Sequence, residues 1–394
     1  MTIAAAIDSR SAEAPARSKA SRIARVDIIS DPTAAEAIWR ELETRQLATP
    51  YQRFDLLSNW QREVGAREGA LPLIVIAADA DGRPLMLLPL ALRIQHGVRV
   101  ASFMGGKHAT FNMALWDRDF ARDATAADLA MVLSGLRAKD AADVLALTQQ
   151  PRHWQDFLNP LAVLPRQRSV NDCPVLTMVP GDPPTNRISN SFRKRLKSKE
   201  RKLQSPGYRC YLANSDADIE RLLNWFFHVK PMRMAEQKLP DVFAEPGVAD
   251  FVRKACHARL ASGGHVIDIH ALECDDEVIA IFAGVADGHR FSMMFNTYTM
   301  SGRARYSPGL ILMRHIIDYY AERRYRALDL GIGSDEYKRL FCKGDEPIFD
   351  SFIPLTARGK IAAVGMSTVS RAKRLVKQNQ MLLQVAQRLR RAFH

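Results

Sequence analysis

Two stretches of the chain share one rhythm of apolar and polar positions. Residues 71–106, LPLIVIAADADGRPLMLLPLALRIQHGVRVASFMGG, read as an apolar run, an Asp-Gly turn, a second run, a His-Gly turn and a third run. Residues 265–298, HVIDIHALECDDEVIAIFAGVADGHRFSMMFNTY, repeat that order, with turns at Asp275-Asp276 and Asp287-Gly288. Short apolar runs bounded by such turns predict a three-stranded antiparallel meander in each stretch. A helix and one more strand follow each meander: AADLAMVLSGLRA and DVLALTQQ, then GLILMRHIIDYYAERR and RALDLGIG. An internal repeat at a spacing of about 190 residues is the simplest account. The expectation is an α/β (α+β) fold of two tandem domains, residues 23–180 and 181–358, each a mixed, largely antiparallel sheet flanked by helices. They meet at the proline-rich VPGDPPTN, between a leader over 1–22 and a basic helical tail over 359–394.

In the second helix Leu310, Met313, Ile317 and Tyr320 recur at helical spacing beside Leu312, Ile316 and Tyr319, a wide apolar stripe suited to a sheet. Ser307 is a good N-cap, and Pro308 a good first helical residue because its missing N–H would be unpaired there. Gly309 then lets another group approach the backbone closely.

Composition narrows the class. The 394 residues are 47% hydrophobic and 25% charged, ordinary for a soluble globular protein. No apolar run reaches the ~20 residues of a membrane span, and the N-terminus lacks a continuous apolar stretch, so the expected location is the cytoplasm. Five scattered cysteines show no metal spacing and no disulfide framework, so no metal is expected. The formal charge of +13 is localised: RKRLKSKERK (193–202) carries +6, and the stretch from Lys360 onward carries +8. The remainder is close to neutral. Such a chain is no uniformly basic nucleic-acid binder, and neither basic stretch has the interleaved aromatics of a single-strand binder. The 191–203 helix sets Phe192, Leu196 and Leu203 on one face; the tail does the same with Leu375, Leu382, Ala386, Leu389 and Phe393. Two readings stand for each of 191–203 and 370–394: a packed stripe with a solvated basic face, or a helix lying on an anionic membrane.

A helix start after a central strand offers free N–H groups and a positive dipole end. YSPG (306–309) is thus either a phosphate cradle with Arg303 and Arg305 as counter-charges, or a well-made cap beside two solvated arginines. Downstream, DLGIGSDEYKRLF (329–341) places Asp329 at a strand end, with Tyr337 and Lys338 shortly after. A carboxylate, a phenol and an ammonium can polarise an acceptor and protonate a leaving group. Taken singly, Asp329 is as readily a strand-end cap and Tyr337 an ordinary packed tyrosine.

The run YSPGLILMRHIIDYYAERRYRALDLGIGSDEYKRLF resembles the signature of the CelD-type acetyltransferases found near bacterial cellulose-synthesis genes. These are GNAT-superfamily enzymes built of two fused GNAT-like domains and related in fold to the Fem peptidyltransferases. FRKRLKSKERKLQSPG resembles the family's basic helix, WFFHVKPMRMAEQKLPDVF its Lys-x-x-Arg segment through Lys230 and Arg233, and TPYQRFDLLSNW its N-terminal segment. The resemblance covers roughly 50–358 and implies an acyl-CoA donor, usually acetyl-CoA, with its pyrophosphate at Arg303, Arg305, Tyr306, Ser307, Pro308 and Gly309. Against the usual Q/R-x-x-G-x-G/A, with Arg305 as first position, Pro308 and Leu310 replace small residues. In the first half MGGKHATFNMALW (104–116) forms a polar, glycine-rich loop. Its His108 is either a general base or a surface histidine. Lys107 and Asn112 of the loop are candidates for holding an acceptor; Lys230 and Arg233 are candidates for binding an anionic acceptor group, or are solvated helix charges. The reading is an N- or O-acyltransferase acting by direct attack on a sugar, glycan precursor or lipid-linked acceptor. Tyr337 is its acid, with Lys338 beside it, and Asp329 or His108 polarises the acceptor. A Fem-like transferase using aminoacyl-tRNA and a non-catalytic, membrane-docked partner of a polysaccharide synthase are the alternatives.

Overall fold

The computed structural model describes residues 20–333 and 335–379. Most of the predicted leader (1–19), and Leu382, Ala386, Leu389 and Phe393 of the predicted tail, lie outside the described residues.

Both meanders form. β1 (Arg25–Ile29), β2 (Leu71–Ala78), β3 (Pro84–Gln95) and β4 (Val98–Phe103) pair antiparallel in chain order. In the second half β7 (Arg209–Leu212), β8 (Asp268–Cys274), β9 (Glu277–Ala286) and β10 (Arg290–Tyr298) do the same. Asp275 and Asp276 make the β8–β9 turn with left-handed backbones, φ 51° and 63°, which aspartate tolerates better than most residues. After each meander a helix crosses back to a strand parallel to the last. α2 (Ala126–Ala138) leads to β5 (Val144–Pro151) beside β4, and α6 (Pro308–Glu322) leads to β11 (Ala327–Asp329) beside β10.

The next strand in each sheet comes from the opposite half. β6 (Cys173–Thr177) pairs with β11, whereas β13 (Ile348–Pro354), near the end of the second half, pairs with β5. The sheet orders are β1-β2-β3-β4-β5-β13, extended by residues 167–168, and β7-β8-β9-β10-β11-β6-β12, where β12 is Gly344–Glu346. The expected boundary at 180 therefore falls just after a strand that belongs to the second sheet, and the halves exchange strands rather than meet end to end. One apolar cluster runs through both, from Trp60 and Phe103 to Phe226 and Phe251.

Packing accounts for one face of each basic helix. α3 (Asn190–Arg201) buries Phe192 and Leu196, sets Phe192 5.4 Å from the ring of Phe341, and ties Arg193 to Asp318 at 3.0 Å. Lys194, Arg195, Lys197 and Arg201 face outward, so one face of this helix is a packed stripe and the other an exposed basic surface. α8 (Ala357–Gln378) packs on the first sheet through Ala363 and Ser370, so the start of the predicted tail is an integral helix; Leu375 stays exposed. The end of the predicted leader is also anchored: Arg22 N–H donates to Asp128 Oδ1 at 2.7 Å. Among the described residues no helix is long and apolar enough to cross a membrane, and no three His, Cys, Asp or Glu gather as a metal site.

Candidate active site

The start of α6 departs from the expected cap. Ser307 occupies the N-cap position, but its side chain bonds no helix N–H, and its backbone is left-handed at φ 60°, ψ 53°. A non-glycine residue there, directly before proline, costs of order 1–3 kcal/mol. Its hydroxyl instead accepts a hydrogen bond from Lys199 Nζ at 2.8 Å. The sheet does not require Gly309: a Cβ there would make only ordinary contacts with Tyr298 at 3.6 Å and Phe282 at 3.8 Å. Of the two expected counter-charges, Arg303 is already committed to Asp275 (2.7 Å) and Glu277, and Arg305 lies over the ring of Tyr306 at 4.9 Å. Lys199, hidden among seven cations in the sequence, is the ammonium that stands at the helix tip. An ammonium at the positive end of a helix dipole is unfavourable by itself and becomes favourable with an anion between them.

α3 is held in that register by a buried clamp one residue away. Glu200 accepts from Arg314 Nη2 (2.7 Å) and the Tyr208 hydroxyl (2.7 Å), and contacts His315 Nε2 at 2.5 Å. Burial alone would raise the pKa of Glu200, but the bonds from His315, Tyr208 and Arg314 outweigh it and bring it to about 2.

Beyond the tip, β10 and β11 pair only from Arg290–Ser292 to Ala327–Asp329; β10 then runs on to Tyr298 without its neighbour. Around this free end three elements converge. From α4 (Asp216–Glu236), Lys230 Nζ donates to Asn296 O at 3.2 Å, and the Arg233 guanidinium stacks 3.5 Å from the Tyr298 ring centre. From α7 (Glu336–Phe341), the Tyr337 hydroxyl lies 3.4 Å from Asn296 Nδ2 and can accept its hydrogen bond. Burial, then the charge of Arg233, pushes the Lys230 pKa down; burial also pushes the Tyr337 phenol up, so it keeps its proton. The structure thus brings Lys230, Arg233 and Tyr337 together, around Asn296 and Tyr298, which were not anticipated. A polar Asn and a Tyr at the end of an apolar strand were the signal.

Several expected residues are elsewhere. Asp329 is fully enclosed: it accepts from Ser292 Oγ (2.5 Å) and the Gly331 N–H (3.1 Å), so it shapes the loop rather than reaching an acceptor. Lys338 spends its three donors on Gly331 O (3.3 Å), Ile332 O (2.8 Å) and Asp335 (3.3 Å), fixing the same loop. His108 is no base either. Its Nδ1 accepts from Trp60 Nε1 at 3.1 Å, which places its proton on Nε2, a buried atom with no partner. Burial, then Lys107, lowers its pKa. Lys107 pairs with Glu245 across the two halves, and buried Asn112 donates to Thr148 O at 3.2 Å, so both build the scaffold. Burial pushes the thiols of Cys210 and Cys342 up to about 12 and those of Cys173 and Cys256 well above the usual range, which disfavours a thiolate at these four.

The enclosed carboxyl gives a pH prediction. Burial raises the Asp329 pKa from 3.8 to about 6. Its contribution to stability is therefore fully present below pH 4 and is lost as pH rises through 6. Asp329→Asn is expected to gain on the parent between pH 4 and 7 by up to about 3 kcal/mol. Melting curves across that range check it; a gap that does not widen with pH contradicts the burial of a titrating carboxyl.

The comparisons fit this geometry. Residues 190–339 match the family model described as Acetyltransferase (GNAT) domain, a span that opens with α3 and takes in Lys199, α6, the free end of β10 and Tyr337. This stretch is a GNAT-type acetyltransferase domain. Most of the chain is similar in fold to solved structures, among them the following three. FemX is 10% identical, with 83% of this chain and 97% of that one covered and a TM-score of 0.54. The structure described as "C-terminal Domain (DUF2156) of Putative Lysylphosphatidylglycerol Synthetase", from Agrobacterium fabrum, is 11% identical over 86% and 96%, at 0.52. A conserved protein of unknown function from Bacteroides thetaiotaomicron VPI-5482 is 10% identical over 84% and 100%, also at 0.52. No curated protein matches the chain in sequence. The fold is the mixed α/β arrangement of two like halves, sheets flanked by helices, expected from the repeat, with the strand exchange added.

Proposed function

We propose that the chain is an acyl-CoA-dependent N- or O-acyltransferase of the CelD type, acting on a sugar, glycan precursor or lipid-linked acceptor. The observation that carries this reading is that one GNAT domain holds both Lys199 at the α6 tip and Tyr337 beside the free end of β10. The donor pyrophosphate rests against Lys199 and the first turn of α6, and its thioester runs along residues 293–298. Lys230 and Arg233 beside the acceptor disfavour an ammonium, so an amine acceptor is present in its nucleophilic neutral form. The acceptor attacks the thioester carbonyl, the C–S bond breaks, Tyr337 gives its proton to the leaving thiolate, and the proton shed by the acceptor's nitrogen or oxygen returns to the Tyr337 phenolate.

Lys199→Gln is expected to raise the KM for acyl-CoA about tenfold, the loss of one charge-assisted hydrogen bond, with kcat within twofold. Thiol release from acetyl-CoA and longer acyl-CoAs, measured against a panel of amine and hydroxyl acceptors, checks it; an unchanged KM removes Lys199 from the donor site. A second reading, transfer from aminoacyl-tRNA as in FemX, is supported by the fold likeness and by the outward basic face of α3. It predicts tRNA affinity that falls steeply with salt.

A further inference from the structure

We infer that a cavity of about 630 Å³ between the two sheets is a phosphoryl-group site separate from the donor tip at α6. Its walls bring together Arg152, Arg166, Arg168 and Arg374 with Asp172, Asp345 and Glu346. The apparent balance of charge is misleading, because each carboxylate is already neutralised. Asp172 pairs with Arg374 at 3.1 Å, Asp345 with Arg339 at 2.8 Å, and Glu346 with the buried Arg290. Three guanidinium groups are left over. Among the described residues the Arg166 guanidinium donates only to the Ala162 carbonyl, and those of Arg152 and Arg168 have no hydrogen-bond or ion-pair partner.

Three uncompensated like charges around one concavity repel one another and raise the local concentration of anions. Guanidinium forks match the oxygens of phosphate better than any other side chain does, and several of them together favour a multiply charged group over a lone carboxylate. The cavity also adjoins the candidate active site. Asp172 O accepts from Gly333 N–H at 3.0 Å in the loop before Tyr337, and Arg339, which anchors Asp345, lies on the Tyr337 helix. Bound there, a phosphoryl group marks the acceptor, a phosphorylated or diphosphate-bearing molecule; that assignment rests on the acyl-transfer reading, whereas the binding itself does not.

Inorganic pyrophosphate titrated calorimetrically, and phosphatidic-acid vesicles in co-sedimentation against phosphatidylcholine alone, test the two sources of such a group. Both are measured without donor and in a Lys199→Gln background, which keeps the α6 tip out of the signal. Arg152→Gln with Arg168→Gln is expected to weaken binding at least about tenfold, with melting unchanged because both side chains are exposed and unpartnered. Arg358→Gln with Lys360→Gln, equally exposed cations on α8, is expected to leave binding within twofold. Loss with pyrophosphate identifies a soluble phosphorylated ligand, and loss with vesicles alone a lipid headgroup. No binding of either probe, or equal losses in the two double variants, overturns the site. Acyl transfer without such binding, or binding without transfer, separates this inference from the proposed reaction.

Discussion

Tyr337→Phe is expected to lower kcat by about two orders of magnitude, the lower range for losing a positioned general acid, while the KM for acyl-CoA stays near the parent value. The phenol has one identified polar neighbour, Asn296 Nδ2 at 3.4 Å, so its loss removes a proton source without breaking a network. Phenylalanine keeps the ring that packs at the edge of the α6 core, and the melting temperature should not move. The role is specific enough to be tested through the leaving group. With an aryl thioester, whose thiol leaves readily without a proton, the gap between Tyr337→Phe and the parent should shrink toward unity. If the gap is the same for acetyl-CoA and the aryl donor, the hydroxyl positions something and does not act as the acid.

Gly359→Ala should produce the largest loss of stability. Gly359 sits in the first turn of α8, where its N–H donates to the Thr356 hydroxyl at 3.1 Å. A Cβ at this position would lie 1.7 Å from the Asp143 carbonyl oxygen and 2.6 Å from its carbon. The obstacle is backbone, and it is fixed. Asp143 O accepts the N–H groups of Leu355 (2.8 Å) and Thr356 (3.2 Å), and the Asp143 carboxylate accepts from Arg99 N–H (2.9 Å) and the Thr356 hydroxyl (2.8 Å). The helix must therefore lift from the first sheet, and overpacking against immovable backbone costs about 3 kcal/mol or more. Urea unfolding measures it. α8 is remote from α6, so Gly359→Ala that remains folded should retain the parental KM for donor. A variant as stable as the parent would mean that α8 does not dock as described.

How much of this was legible beforehand follows from what each signal reports. Apolar runs and Asp-Gly turns are local, so both meanders, the helix after each and the parallel return strand could be read. The exchange of β6 and β13 could not, since pairing partners about 150 to 200 residues apart leave no periodicity. The proline-rich stretch near 180 is a real connector, yet it lies on the far side of a strand already given to the other sheet. At the site, Lys230, Arg233 and Tyr337 were legible through family resemblance, and the structure places them together. Residue type says nothing of burial, so Asp329 and His108 looked reactive when one is enclosed by Ser292 and Gly331 and the other has its basic nitrogen occupied by Trp60. Lys199 was invisible for the opposite reason: among seven cations, only the Glu200 clamp selects it. Ser307 looked like a cap by composition, and its left-handed backbone is a tertiary fact.

Calorimetric titration of acetyl-CoA into the intact chain tests the central claim most directly. The account predicts one site per chain in the micromolar range, weakened about tenfold by Lys199→Gln and unchanged by Tyr337→Phe. No heat at millimolar acetyl-CoA or longer acyl-CoA, from protein that melts cooperatively, would contradict it.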